Sequence, residues 1–143
     1  MDITYFAYGS NMNLGQMEQR CPGAKVLSTG ELDKFRFIIN ERGYATIIPD
    51  EGSAVYGVVW QISKNHEKRL DEYEGVDRGL YEKEYHTINT ETESYSSLVY
   101  IASDREKGKP KPGYIEGVIK GAESNSLPQD YIDKYLKQWI EEQ

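Results

Sequence analysis

A continuous run of β-branched and aromatic residues occupies positions 3–8 and stops at Gly9-Ser10-Asn11. That pattern predicts a buried strand, central in its sheet and ended by a turn. Asn13 is placed to cap a short helix reaching about Arg20, and Pro22-Gly23 then closes it. Short strands are predicted over 26–29, 35–39 and 45–49, with Glu41-Arg42-Gly43 as one of the intervening turns. Positions 54–62 are apolar on both faces for most of their length, as in a strand inside a sheet, and Gly57 allows a bend there. The period then changes. Ile62, His66, Leu70 and Tyr73 fall on one helical stripe, which predicts an amphipathic helix ending at Gly75. Strand patterning returns over 82–90 and 95–102, joined by a hairpin loop at 89–93. A basic Pro/Gly-rich connector at 107–113 leads to a helix face made by Tyr114, Ile115, Val118, Ile119 and Ala122. A last helix from Pro128 carries Tyr131, Ile132, Tyr135, Leu136, Trp139 and Ile140, a stripe suited to covering the sheet.

No repeat, low-complexity tract or linker divides the chain, so residues 1–143 read as one α+β domain. Short strands early and helices late favour a curled mixed sheet or small barrel with flanking helices over a doubly wound parallel fold. No apolar run is long enough to span a bilayer. The first residues carry an acid where a secretion signal needs a base, so the expected location is the cytosol. Seventeen basic against twenty-four acidic side chains give a net charge of -7, which works against a surface that binds nucleic acid. One cysteine, Cys21, and two histidines, His66 and His86, supply neither a disulfide nor a closed zinc site, so no metal is expected. Twelve tyrosines against three Phe and two Trp fit either half-buried rings with hydrogen-bonded hydroxyls or the lining of a small-molecule pocket.

The common catalytic motifs are missing. His66-Glu67 has Leu at position 70, where a zincin needs its second histidine, and no phosphate-binding glycine loop is present. Cys21 reads as a buried thiol rather than a nucleophile. Tyr8-Gly9-Ser10-Asn11 places a glycine and two small polar residues between a strand and a helix. It reads either as a capped turn or as a loop whose exposed N–H groups suit a carboxylate. Asp71, Glu72 and Glu74 cluster at a helix C-terminus, where the dipole disfavours them. Asp71 and Glu72 read as a solvated run. Glu74, just before the helix-ending Gly75, can be turned inward, where burial and neighbouring like charges raise its pKa toward that of a proton shuttle.

Tyr5-Phe6-Ala7-Tyr8-Gly9-Ser10-Asn11-Met12 is similar to the signature strand and loop of the γ-glutamylcyclotransferase family. Further collinear segments resemble it too: Ala45-Thr46-Ile47, Val58-Val59-Trp60, and Leu70-Asp71-Glu72-Tyr73-Glu74-Gly75-Val76 with Gly79 and Tyr81. Tyr114 followed by Gly121-Ala122, and Asn125-Ser126-Leu127-Pro128 with Tyr131, continue the likeness. The resemblance implies a barrel-like mixed sheet, no cofactor, and cyclisation of a γ-glutamyl group to 5-oxoproline with release of the attached amine. It implies Glu74 as general acid/base. Tyr5, Phe6, Ala7, Tyr8, Gly9 and Ser10 would hold the glutamyl moiety, Asn11 would brace the loop, and Tyr114 would lie near the substrate. The asparagine at position 11 fits members acting on γ-glutamyl amino acids or amines better than glutathione-specific ones. The segment Asn40-Glu41-Arg42-Gly43-Tyr44 is shorter than the corresponding loop of animal members, which leaves the leaving amine open. A non-catalytic module that binds γ-glutamyl metabolites, or that uses its Tyr-rich faces for assembly, is the alternative, and a pure binder has no need of Glu74. The expected assembly is a monomer or homodimer.

Overall fold

Five strands close into a barrel in the order β1-β3-β2-β4-β5, flanked by helices, in a computed structural model that describes residues 3–140. The first strand, β1 (Ile3–Ala7), runs antiparallel to β3 (Ala45–Ile62) with Tyr5 opposite Trp60, and parallel to β5 (Ser94–Ala102) at Tyr5 and Leu98. The second strand, β2 (Lys25–Ile39), forms a long antiparallel ribbon with β3, and β4 (Tyr81–Asn89) pairs antiparallel with β5. The barrel closes where Glu31 of β2 meets Asn89 of β4. The mixed barrel with outer helices is the architecture the strand spacing predicts.

Two stretches differ from the sequence reading. Positions 26–39 and 45–62 are continuous strands rather than pairs of short ones. The β2–β3 ladder runs through most of both stretches, and the mismatch is absorbed in register shifts at Val26/Ser28 and Asp33/Phe35, the second of which leaves residues 50–53 as an unpaired excursion of β3. Lys34 takes a positive φ of 70° at the second shift, and Asp50 accepts from the Gly52 amide and the Ser53 hydroxyl, holding the facing excursion of β3. The chain after Pro128 is also not one regular helix. A short α-turn, α4 (Gln129–Tyr131), passes into a π-turn at Ile132–Leu136 and a 3-10 turn at Lys137–Ile140. The winding change still buries Tyr131, Ile132, Leu136 and Trp139 against the chain's own core and leaves Ile140 exposed. The connector at 107–113 is packed: Lys107 bridges to Asn40, and the Gly108 amide donates to the Ile39 carbonyl.

Three helices frame one end of the barrel. Asn13 caps α1 (Leu14–Arg20) by accepting from the Gln16 amide at 2.8 Å. Ser63 and His66 form a reciprocal capping box at the start of α2 (Lys64–Glu74), with the His66 ring taking the place usually held by Glu or Gln. The third, α3 (Tyr114–Ser124), turns Ile115, Val118, Ile119 and Ala122 into the core. Leu70 is the fully buried anchor of α2, whereas Tyr73, expected on the same stripe, is half exposed. Gly57 is a point of close approach: a side chain there would run into the Ala7 carbonyl and the Phe6 ring.

Candidate active site

A cavity of about 390 Å³ opens at the end of the barrel where β1 leaves the sheet, within the range usual for small-molecule sites. The loop after β1 forms one wall. Gly9 enters a 3-10 turn at Ser10–Met12 with φ of -119°, and its N–H has no acceptor among the described residues. A methyl on Gly9 would lie 3.3 Å from both the Ala45 Cβ and the Tyr114 hydroxyl, so a side chain there would press on the cavity wall and displace one of them by a few tenths of an ångström. Asn11 is buried beneath the loop, donating through Nδ2 to the Tyr5 hydroxyl at 3.0 Å and accepting from the Arg20 guanidinium. Arg20 also reaches the Ser10 hydroxyl at 3.4 Å and stacks on the Tyr73 ring.

Glu74 lies across the cavity from that loop. It stands one α-helical turn after Leu70, so the residue that anchors α2 also aims Glu74 inward. Gly75 then reverses the chain in the left-handed region at φ of 69°, and the Leu80 amide closes the turn on the Gly75 carbonyl. No described residue hydrogen-bonds or ion-pairs with the Glu74 carboxyl. Burial pushes its pKa up to about 7, while the positive charges of Arg20 and Arg42 pull it back. The like charges expected to help raise it do not contribute. Asp71 instead pairs with Lys83 and accepts from the Tyr100 hydroxyl, and Glu72 is exposed.

Of the seven tyrosines on the cavity wall, five divide by what their hydroxyl protons do. Tyr8 donates to the Tyr100 carbonyl at 2.6 Å, Tyr81 to the Ala45 carbonyl at 2.8 Å, and Tyr100 to the Asp71 carboxylate at 2.7 Å. Tyr5 and Tyr114 instead accept, from the Asn11 side chain and from the Ala45 amide at 3.2 Å. Neither has an acceptor of its own among the described residues, so both protons remain for the cavity. Burial holds both hydroxyls well above the usual tyrosine range, keeping them protonated donors.

Residues 54–135 match the model of the AIG2-like family. γ-Glutamylcyclotransferase from Mus musculus is 34% identical over 141 residues, a match covering 91% of this chain and 75% of the relative. The Homo sapiens γ-glutamylcyclotransferase is 32% identical with the same coverage. The chain belongs to the AIG2-like γ-glutamylcyclotransferase family. A solved γ-glutamyl cyclotransferase superposes on it with a TM-score of 0.88 at 30% identity, covering 94% of this chain and 86% of the other. Membership makes the chain a cyclotransferase with the family's barrel.

Within this family member, the structure brings Tyr5, Phe6, Tyr8, Gly9, Ser10, Asn11, Glu74 and Tyr114 to one cavity. Ala7 is the exception. It pairs with Val58 and is buried in the barrel without lining the cavity. Arg20, Arg42, Tyr44, Tyr73, Arg78 and Tyr81 also line it and were not singled out by sequence pattern. A basic or aromatic residue in a turn or at a helix end gives no local sign of facing a cavity; Tyr73 and Tyr81 belong to the family-like segment around Glu74, and Arg42 and Tyr44 to the short segment at 40–44, without a site role of their own in the sequence. Among the described residues no cluster of three His, Cys, Asp or Glu could hold a metal, and no helix is long and apolar enough to cross a membrane.

Proposed function

We propose that this cyclotransferase cyclises a γ-glutamyl amino acid or γ-glutamyl amine to 5-oxoproline and the free amine, with Glu74 as the single acid/base. The observation that carries the reading is an unpaired carboxyl with a pKa near 7, facing two tyrosine protons and a free glycine amide across a small cavity. In its ionised form Glu74 takes a proton from the substrate's α-ammonium group. The freed nitrogen lone pair attacks the γ-carbonyl carbon, forming the ring C–N bond and placing negative charge on the carbonyl oxygen. Collapse of that oxyanion breaks the original C–N bond as Glu74 returns its proton to the departing nitrogen; Glu74 then takes the second proton from the ring nitrogen and passes it to the released amine, which leaves as its ammonium form beside neutral-ring 5-oxoproline. Atoms and charge balance without a covalent enzyme intermediate, consistent with the lack of a nucleophile motif.

Nucleophile and electrophile already share one molecule, so the protein's work is to fold the glutamyl chain and stabilise charge. Tyr5, Tyr114 and the Gly9 N–H are the donors suited to the α-carboxylate and the oxyanion. Tyr8, whose proton is committed, acts as wall. We place the reaction in the cytosol, with the chain working as a monomer or homodimer. Incubation with a panel of γ-glutamyl dipeptides and amines should yield 5-oxoproline, and Glu74→Gln should lower turnover at least ~100-fold, the lower end for general acid/base catalysis. Binding of those compounds without 5-oxoproline would instead establish a binding module.

A further inference from the structure

Charge is distributed unevenly between the whole chain and its cavity. The sequence carries a net charge of -7, yet three arginines, Arg20, Arg42 and Arg78, line the cavity against one carboxyl, Glu74. Among the described residues none of the three pairs with a carboxylate. Arg20 is committed to Asn11, Ser10 and Tyr73. Arg42 and Arg78 are not, and of these two Arg42 joins the wall that carries Tyr114: it stands exposed on the β2–β3 turn with its guanidinium 5.4 Å from the Tyr44 ring centroid. Tyr44 meets Tyr114 edge-on at 5.4 Å, and the Tyr114 hydroxyl adjoins Gly9. These contacts make one wall running from the loop to the rim.

The turn that carries Arg42 is built to hold its shape. The Asn40 side-chain oxygen accepts from the amides of both Arg42 and Tyr44, at 3.1 and 3.2 Å. Gly43 sits at φ of 92° with Lys111 packed against it, so the turn is braced from outside as well. A γ-glutamyl group is itself a zwitterion and gives a second unpaired cation nothing to balance. A leaving group extending along this wall, away from Gly9 and Tyr114, would arrive at Arg42. Resting on the cyclotransferase reading above, we infer that Arg42 is a specificity-determining residue that pairs with a carboxylate on the departing amine. The chain thus favours γ-glutamyl amino acids over γ-glutamyl amines.

The test compares γ-glutamylalanine with γ-glutamylethylamine, which lacks only the leaving-group carboxylate, by 5-oxoproline release. The wild-type protein should prefer γ-glutamylalanine by about tenfold or more in kcat/KM, the lower range for a charge-assisted hydrogen bond at a solvated rim. Arg42→Gln should collapse that ratio toward one, chiefly through KM for γ-glutamylalanine. Arg42→Lys, which keeps the charge without the planar fork, should retain an intermediate ratio. The ratio is the readout because losing the Arg42 charge also lifts the Glu74 pKa and slows both substrates together. Equal turnover of the two compounds by the wild type, or an unchanged ratio in Arg42→Gln, overturns the assignment of Arg42 and leaves the cyclotransferase reading standing. No 5-oxoproline from either compound overturns both.

Discussion

Replacing Glu74 by Gln should stabilise the protein at neutral and alkaline pH while removing its activity. The carboxyl titrates near 7 in the folded chain against an ordinary value of 4.5, because burial disfavours the charged form. Below pH 4.5 the group is protonated in both folded and unfolded chains and makes no difference. As pH rises, the unfolded chain ionises first, so the native state loses stability progressively until the folded carboxyl also ionises. A gap of about 2.5 at roughly 1.4 kcal/mol each gives a loss saturating near ~3 kcal/mol above pH 8. Gln does not titrate, and its own packing or hydrogen-bond cost is a constant offset. Urea unfolding of both proteins at pH steps from 4 to 9 isolates the effect. The stability of Glu74→Gln relative to wild type should grow by about 3 kcal/mol across that range, worth roughly 10 °C in Tm for a domain of this size. Parallel curves would refute the reasoning, since a carboxyl that titrates normally is neither buried as described nor suited to shuttle protons near neutrality.

Wild-type kcat/KM should rise through an apparent pKa near 7 as Glu74 ionises, so pH profiles should show activity growing over the interval in which stability declines. Tyr114→Phe removes an unspent proton and the acceptor of the Ala45 amide; kcat should fall about 100-fold or more, with unfolding weakened by only about 1 kcal/mol. Gly9→Ala forces the added methyl against Ala45 and the Tyr114 hydroxyl, so steady-state assays should register a raised KM or lost activity while Tm drops only a few degrees. Asn11→Ala strips partners from the Tyr5 hydroxyl and from Arg20, and calorimetry should record a loss of about 1–3 kcal/mol beside reduced turnover.

Elements with one strong periodicity were legible in the sequence. The run ending at Tyr8, the Asn13 cap and the Leu70 stripe stopped by Gly75 each reflect local physics that tertiary structure leaves in place. The long ribbon was not legible as such, because residues 30–34 and 50–53 are polar and turn-like on their own: 30–33 are held extended by pairing with 54–57, and 50–53 bulge out between the Asp33–Ala54 and Phe35–Pro49 pairs without ending the strand. The end of the chain was half legible: its apolar positions packed inward, but the π-turn that brings Leu136 and Trp139 onto the core has no signature in a pattern of period 3.6. In the candidate site, Glu74 stood out because an acid at a helix C-terminus conflicts with the dipole. Arg42 and Arg20 did not, since a solvated turn and a helix end are where arginine is ordinarily found. Only the meeting of five separate segments around one cavity reveals them.

That convergence sets an order of events in time. Tyr8 reaches its acceptor on Tyr100 across 92 positions of chain, and Ala45 reaches Tyr114 across 69. The β2–β3 and β4–β5 ribbons close through short loops and can zip early, whereas β1 has to reach β3 across the intervening ribbon and bridge from there to β5. Closing loops of that length is an entropic barrier that local contacts cannot offset in advance. During synthesis, a chain released short of Tyr114 would carry Glu74 and the glycine loop yet lack the hydroxyl that completes the wall between them. Catalytic competence should therefore appear late and all at once, after most of the barrel has already formed.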